Sequence, residues 1–365
     1  YEHARDLPVR PRILYDRIHE RVEGDPYSRM LAVSTGGTIP DRGLYTVRTE
    51  TGVKLGELDE EFVFEARVGD KFLLGSFVWQ ITSIQKDSVV VSQSSISGAR
   101  PPFWKGDIKG RSIQTGFAYG AIFRKLGIAH ETGTLFDELY RLGLDHAAAK
   151  DAQDLLKRQF AATGALPDDR TILVEHFRDQ TGNHQMMVHS VFGRPVNEPL
   201  AILASEAAKR QTNSNINYVD DDDGFLLFPY DDISIPEGIL QSILPDTAEA
   251  ILAASLPATP LFNMVFRFNA ARALMMGVRK AGRQPLWVQR MRSADMLNTL
   301  VRNENHPLIR ETKRECLEDY WDLAGTELVL NGIRSGAIQV CELYLDAPSP
   351  MSFLLRRQAE ASMMY

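Results

Sequence analysis

The stretch Lys71–Gln93, KFLLGSFVWQITSIQKDSVVVSQ, decides how the first third of this chain reads. It holds three short runs, KFLLG, FVWQITSI and SVVVSQ, parted by Gly75-Ser76 and Lys86-Asp87. Short runs rich in β-branched and aromatic residues, bounded by turn residues, are strands. The same pattern continues on the N-terminal side in LAV (31–33), LYTVRTE (44–50), VKLGEL (53–58) and FVFEA (62–66). Gly36-Gly37, Thr51-Gly52 and Gly69-Asp70 separate these runs, and Val53 and Leu55 alternate with polar neighbours. About six short strands joined by tight turns predict a curled sheet or, over 31–112, a small antiparallel β-barrel. Residues 1–30 read as a connector punctuated by Pro8, Pro11 and Pro26, with one short helical stretch around Ile13 to Val22.

On the C-terminal side, Arg100 to Arg111 is a Pro/Gly loop. Helical periodicity then runs from Thr115 to Ala162, with breaks at Gly127 to Gly133 and near Gly143, giving a helical segment over 113–165. A mixed region follows. ILVEHFRD and HQMMVHSVFG predict a hairpin around Thr181-Gly182-Asn183, then comes an amphipathic helix from Val196 to Gln211 and strands INYV and GFLLF. Residues 236–335 are mostly helical, and Ile338 to Leu345 closes as a strand. The expected class is α+β: a small antiparallel β-barrel followed by a mixed, largely helical α+β domain at 166–365.

With 365 residues, 44% hydrophobic and 24% charged, the chain can bury a sizeable core and is neither disordered nor collagen-like. No run of 18 apolar residues is present, so no membrane partner is expected, and the N-terminus lacks the apolar run of a signal peptide. Two cysteines, Cys316 and Cys341, exclude a disulfide framework and fit a reducing cytoplasm.

The net charge of −7 conceals an uneven distribution. Gln211 to Phe266 contains no Lys or Arg and nine Asp or Glu, including Asp220 to Asp223. Val265 to Arg314 carries eleven Lys or Arg against three acids, a net +8. A basic stripe on an acidic protein is the footprint of a polyanion binder, although such charges also serve as solvated helix faces paired with the acidic segment.

The chain has no Gly-Lys dipeptide, so it lacks the GxxxxGK[ST] phosphate loop, and no GxGxxG follows a strand. Asp137-Glu138 sits in a helical pattern, not at the end of an apolar strand. On this reading the chain alone does not hydrolyse ATP and holds no cofactor. His184 and His189 lie five apart on a strand and point to opposite faces, while His176 and Glu175 approach them across the hairpin. A polar core explains these groups better than a metal. The four aspartates read as a solvated turn without EF-hand spacing. No GxSxG elbow is present and no acid–base set stands out.

Two stretches carry sharper chemistry. In PPFWKGDIKGR (101–111), Phe103 and Trp104 are flanked by Lys105, Lys109 and Arg111. A Trp beside cations suits stacking on nucleobases, though the aromatic pair could also plug the end of the barrel. In Phe266 to Leu297, residues Arg267, Arg272, Arg279, Lys280, Arg283, Arg290 and Arg292 recur on helices and their connection. They suit phosphate contacts and equally suit interdomain salt bridges.

The ordered series STGGTIPDRGLYTV (34–47), GELDEEFVFEARVGDKFLLGSFVWQI (56–81), PFWKGD (102–107), FRFNAARAL, PLWVQRMRSADML, HPLIRETKRECLEDYWDL and APSPMSF resembles Lhr-type (large helicase-related) superfamily 2 DNA helicases. The resemblance is to the C-terminal part of their core, with roughly 160–350 resembling the DEAD/H-associated domain. It implies an ATP-driven 3′-to-5′ translocase whose RecA-like motor lobes, with their ATP and Mg, are not in this chain, nor is most or all of the winged helix. The partners implied are single-stranded DNA, an RNA–DNA hybrid as a variant of it, and those motor and winged-helix domains. By motif match, Ile39 and Trp104 fall where the family sets an isoleucine and a tryptophan against the single strand. The nucleic-acid-binding set is therefore Ile39, Trp104, Lys105, Arg111, Arg272, Arg279, Arg283 and Arg290, with no catalytic or metal-binding residue. The rival expectation is a structural or partner-docking domain whose docking face is the acidic segment 211–266. An independent hydrolase or glycosylase is the weakest reading.

Overall fold

The structure, a computed structural model, describes residues 13–24, 26–35, 44–59, 62–63, 66–74, 77–85, 88–94, 110–229, 233–276 and 286–363. The chain divides into two compact units, Tyr1–Ile108 with Pro260–Thr312, and Lys109–Thr259 with Lys313–Tyr365. The α+β domain expected at 166–365 thus runs through both, because Pro260–Thr312 groups with the N-terminal residues.

In the first unit, β1 (Ile13–Asp16) and β2 (Arg21–Gly24) form an antiparallel hairpin where a short helix was expected. The Asp16 carboxylate accepts from the Ile18 and His19 amides at 2.9 and 3.2 Å, and Glu20 takes the left-handed conformation with φ 51°. That locally bonded turn prevails because a ten-residue helix is marginal on its own. The LAV run is helical, not extended: it lies in α1 (Pro26–Thr35), which opens on a proline.

Next come β3 (Leu44–Thr49), β4 (Lys54–Asp59), β5 (Lys71–Leu74), β6 (Phe77–Ile84) and β7 (Ser88–Gln93). They form one sheet in the order β4-β3-β7-β6-β5. Residues two apart face its core: Tyr45 and Val47, Phe72 and Leu74, Trp79 and Ile81, Val89 and Val91. The expected antiparallel barrel is not formed. Among the described residues β4 and β5 are the two edges and do not meet, and none of the three sheets closes. The pairing of β3 with β7 is parallel, not antiparallel as expected: the chain crosses over between them, which leaves β4 and β5 at opposite edges of the sheet. Irregularities at Val47/Arg48 and Ile81/Ser83 bend this sheet without closing it.

The second unit opens with three helices, α2 (Ile113–Glu131), α3 (Leu135–Arg141) and α4 (His146–Thr163). Ser112 and Asp145 cap α2 and α4 by accepting from the Thr115 and Ala148 amides, and Gly164 ends α4 in the left-handed conformation. Then β8 (Thr171–Arg178) and β9 (His184–His189) form the expected hairpin, followed by α5 (Arg194–Thr212), β10 (Ile216–Asp221) and β11 (Gly224–Pro229). Beyond α6 (Pro245–Ser255), the chain passes through the first unit as α7 (Pro260–Arg272), α8 (Leu286–Leu300) and most of α9 (Pro307–Arg314). A π-helical turn, Glu315–Tyr320, leads to buried Trp321 and α10 (Leu323–Ser335). Strand β12 (Gln339–Tyr344) and α11 (Phe353–Met363) complete the second unit.

Its sheet has the order β10-β11-β9-β8-β12, with only β12–β8 parallel. β9 and β11 are buried along their whole length, so both faces are covered. One face carries Phe177, Met187, Leu226 and Phe228 against Leu355 and Ala359 of α11. The other carries Asp220, whose carboxylate is bound by Arg194 of α5.

Candidate nucleic-acid interface

Of the eight residues expected to contact nucleic acid, Ile39, Trp104, Lys105, Arg279 and Arg283 lie outside the described residues. Arg290 belongs to α8. Arg272 is exposed in the last turn of α7, where a cation complements the helix dipole. Its Nη1 donates to Asn269 Oδ1 at 3.0 Å, and the amide of that buried Asn donates in turn to Thr312 Oγ1. On the same helix the Arg267 guanidinium lies over the Phe268 ring, 5.3 Å from its centre. Asn269 was not singled out in the sequence; a lone Asn on a helix carries no signal until its buried neighbours are known.

Arg111 lies in the second unit and is tied to protein. Its Nε donates to Val191 O at 3.2 Å, its Nη2 to Asp222 O and to Asp223 Oδ1, and its guanidinium covers the Tyr119 ring at 4.2 Å. The four aspartates are the other half of this knot. Asp222 Oδ1 accepts from the backbone amides of Arg111 and Arg194 at 2.7 and 2.9 Å, while Asp220 holds the Arg194 guanidinium at 2.7 Å. The acidic run forms the turn between β10 and β11, as expected, with Asp223 exposed, but Asp220, Asp222 and Asp223 are also engaged as a clasp joining three segments. Gly193 is required here: with φ 90°, a Cβ would lie 1.9 Å from Arg111 O. Burial, reinforced by the surrounding aspartates against one hydrogen bond from the Asp223 amide, raises the Asp221 carboxyl to about 6.

Consecutive residues on β8 point to opposite faces, so Glu175 and His176 serve separate networks. On one face, Glu175 accepts from His189 at 2.8 Å and from the Ser349 amide at 3.2 Å, with Gln159 Nε2 at 3.5 Å. Gln159 Oε1 accepts from the Met351 amide at 3.0 Å. The APSPMSF segment is thus held by two buried side chains that read its backbone. On the other face, His176 contacts Glu342 at 2.6 Å and His184 at 3.3 Å. The hairpin brings Glu175 to His189 and His176 to His184, as two separate pairs on opposite faces. Among the described residues, no cluster of three or more His, Cys, Asp or Glu is arranged to hold a metal ion.

Comparison with known proteins places this architecture. The family model described as DEAD/H associated matches residues 166–352, just over half of the chain. The chain belongs to the DEAD/H-associated family. A second model, the winged helix domain of the large helicase-related protein, matches residues 10–100. The winged-helix match thus falls within this chain, over the stretch read as connector and barrel.

This DEAD/H-associated chain is similar to Lhr proteins of bacteria and archaea. It is 35% identical over 364 residues to the Lhr helicase/probable uracil glycosylase of Mycolicibacterium smegmatis, covering 98% of this chain and 24% of that protein. It is 34% identical to the Lhr helicase/uracil glycosylase of Escherichia coli, with the same coverage. It is 27% identical to the ATP-dependent helicase Lhr-Core of Sulfolobus acidocaldarius, covering 89% of this chain and 38% of the relative. The chain thus spans about a quarter of its bacterial relatives. A solved structure of the Mycobacterium smegmatis helicase Lhr bound to ssDNA and AMP-PNP matches 98% of this chain and 41% of that one, with a TM-score of 0.71 and 28% identity. Among the described residues, no single helix is long and apolar enough to cross a membrane.

Proposed function

We propose that this chain is a single-stranded nucleic-acid-binding accessory region of an ATP-dependent Lhr-type helicase, acting in the cytoplasm and without catalysis of its own. One observation carries this reading: 98% of the chain shares its fold and 28% of its sequence with a helicase Lhr solved with ssDNA. Trp104 stacks on a base and Ile39 wedges beside it, a contact that reads no sequence and can be released at each step. Lys105, Arg272, Arg279, Arg283 and Arg290 supply phosphate contacts. Arg111 acts chiefly as an anchor for the chain seven residues beyond Trp104, because its Nε and Nη2 are engaged by Val191, Asp222 and Asp223. RecA-like lobes of a parent protein hold ATP and Mg, and this region completes the ring around the tracking strand, whether DNA or one strand of an RNA–DNA hybrid.

A second reading, a structural or partner-docking region, draws support from the same clasp, which uses Arg111 and Arg194 internally. Fluorescence anisotropy of a labelled single-stranded oligonucleotide at two salt concentrations separates the two. Binding should weaken as salt rises, and Trp104→Ala should remove a stacking contribution of about 1–3 kcal/mol while leaving the salt slope unchanged. Absence of salt-sensitive binding, even in a protein that includes the motor lobes, would refute the proposal.

A further inference from the structure

The hydrogen bonds on the His176 face have only one possible direction. Gly238 N–H donates to Glu342 Oε2 at 3.0 Å, so that carboxylate is an acceptor, and His176 Nε2 must donate to Glu342 Oε1. His176 Nδ1 is then the acceptor towards His184 Nε2, 3.3 Å away. From the other end, Ile235 N–H donates to His184 Nδ1 at 3.1 Å, which leaves the His184 proton on Nε2. Both ends force the same arrangement. The side chains cross three neighbouring strands, β9, β8 and β12, and the two ends of the relay hold the same short segment, Ile235–Gly238.

The remaining groups around the relay reinforce this closure. Tyr344 of β12 stacks on His176, with ring centres 4.7 Å apart, and hydrogen-bonds Glu237 of the held segment. Arg178 of β8 contributes a positive charge near His184. Ile235, Ile239 and Leu240 are buried, so apolar contacts beside the segment add to its closure.

We propose that the Glu342–His176–His184 relay is a proton-operated latch on Ile235–Gly238, closed while both imidazoles are neutral and opened by one added proton, with the sheet beneath it intact. A proton on His184 Nδ1 expels the Ile235 amide, and a proton on His176 Nδ1 faces the His184 Nε2 hydrogen. Either way the relay has no place for it. Burial above all, with Arg178 nearby and with His176 whenever that ring is protonated, lowers the His184 imidazole to about 4, which keeps His184 neutral and the latch closed at neutral pH.

Backbone hydrogen exchange of the whole chain, corrected for the intrinsic pH dependence of exchange, tests the latch. Protection over 235–240 should fall about tenfold per pH unit between pH 7 and 5, following the protonated population, while β8 and β9 stay protected. Nitrogen shifts of labelled histidine should place the His184 proton on Nε2 at pH 7. His184→Phe should expose the segment at neutral pH and abolish its pH dependence, and the wild-type measurements stand if that variant does not fold. Protection independent of pH, loss shared with β8 and β9, or a proton on His184 Nδ1 would each overturn the latch.

Discussion

The Glu175 carboxylate and the His189 imidazole meet at 2.8 Å across the β8–β9 pair, with both side chains shut off from water. Burial pushes the Glu175 carboxyl up, but hydrogen bonds from His189 and Ser349 outweigh it and hold the group below its ordinary value of 4.5. Its contribution is therefore present above pH 4.5 and is lost as pH falls through the folded value.

Glu175→Ala strands His189 and the Ser349 amide in the core. The expected cost is about 3–5 kcal/mol, the penalty for removing one partner of a buried pair. Glu175→Gln should cost less, since its carbonyl still accepts one of the two bonds. Urea unfolding at pH 7 measures both. A loss below 1 kcal/mol for the alanine variant would mean that water replaces the carboxylate.

The aspartate clasp makes a second prediction. Asp222→Ala removes the acceptor of two backbone amides, Arg111 and Arg194, and should cost about 2–3 kcal/mol. Gly193→Ala should be at least as damaging, because the added methyl meets the Arg111 carbonyl. Thermal unfolding of the two variants, with Asp154→Ala as a surface control, gives the comparison.

Asp221 carries the opposite pH signature. Its carboxyl is raised in the folded chain from 3.8 to about 6, so its contribution is fully present below 3.8 and is lost as pH rises through about 6. Asp221→Asn keeps an oxygen for the Asp223 amide without the charge. It should raise the unfolding midpoint at pH 8 and leave it almost unchanged at pH 4. Equal midpoints at pH 8 would show that the carboxylate is solvated there.

Arg272→Gln tests the phosphate track on a residue whose position is described. Affinity for single-stranded oligonucleotides should fall to the same extent for every sequence, and the slope of log K against log salt should drop by about one phosphate contact. A sequence-dependent loss would argue for base contact instead.

The helical breaks near Gly133 and Gly143, the β8–β9 turn at Thr181-Gly182-Asn183 and the span of α5 were legible because turn residues and side-chain period are local properties. The opposed faces of His184 and His189 followed from the strand period alone. The hairpin at 13–24 was missed because its alternation is weak, and what selects it is one aspartate bonding two amides.

The amino-acid sequence thus determined by itself the strands and helices of the second unit, the ordered motifs that mark a DEAD/H-associated chain, and the separation of acidic from basic segments. Only the tertiary structure decided that β3 pairs with β7 in parallel and leaves the sheet open, that Asp220 to Asp223 clasp Arg111 and Arg194, and that His176 joins Glu342, 166 residues away. Propensity and period act over a few residues. Strand partners and buried ion pairs are chosen by which distant surfaces exclude water together, and no local pattern encodes that choice.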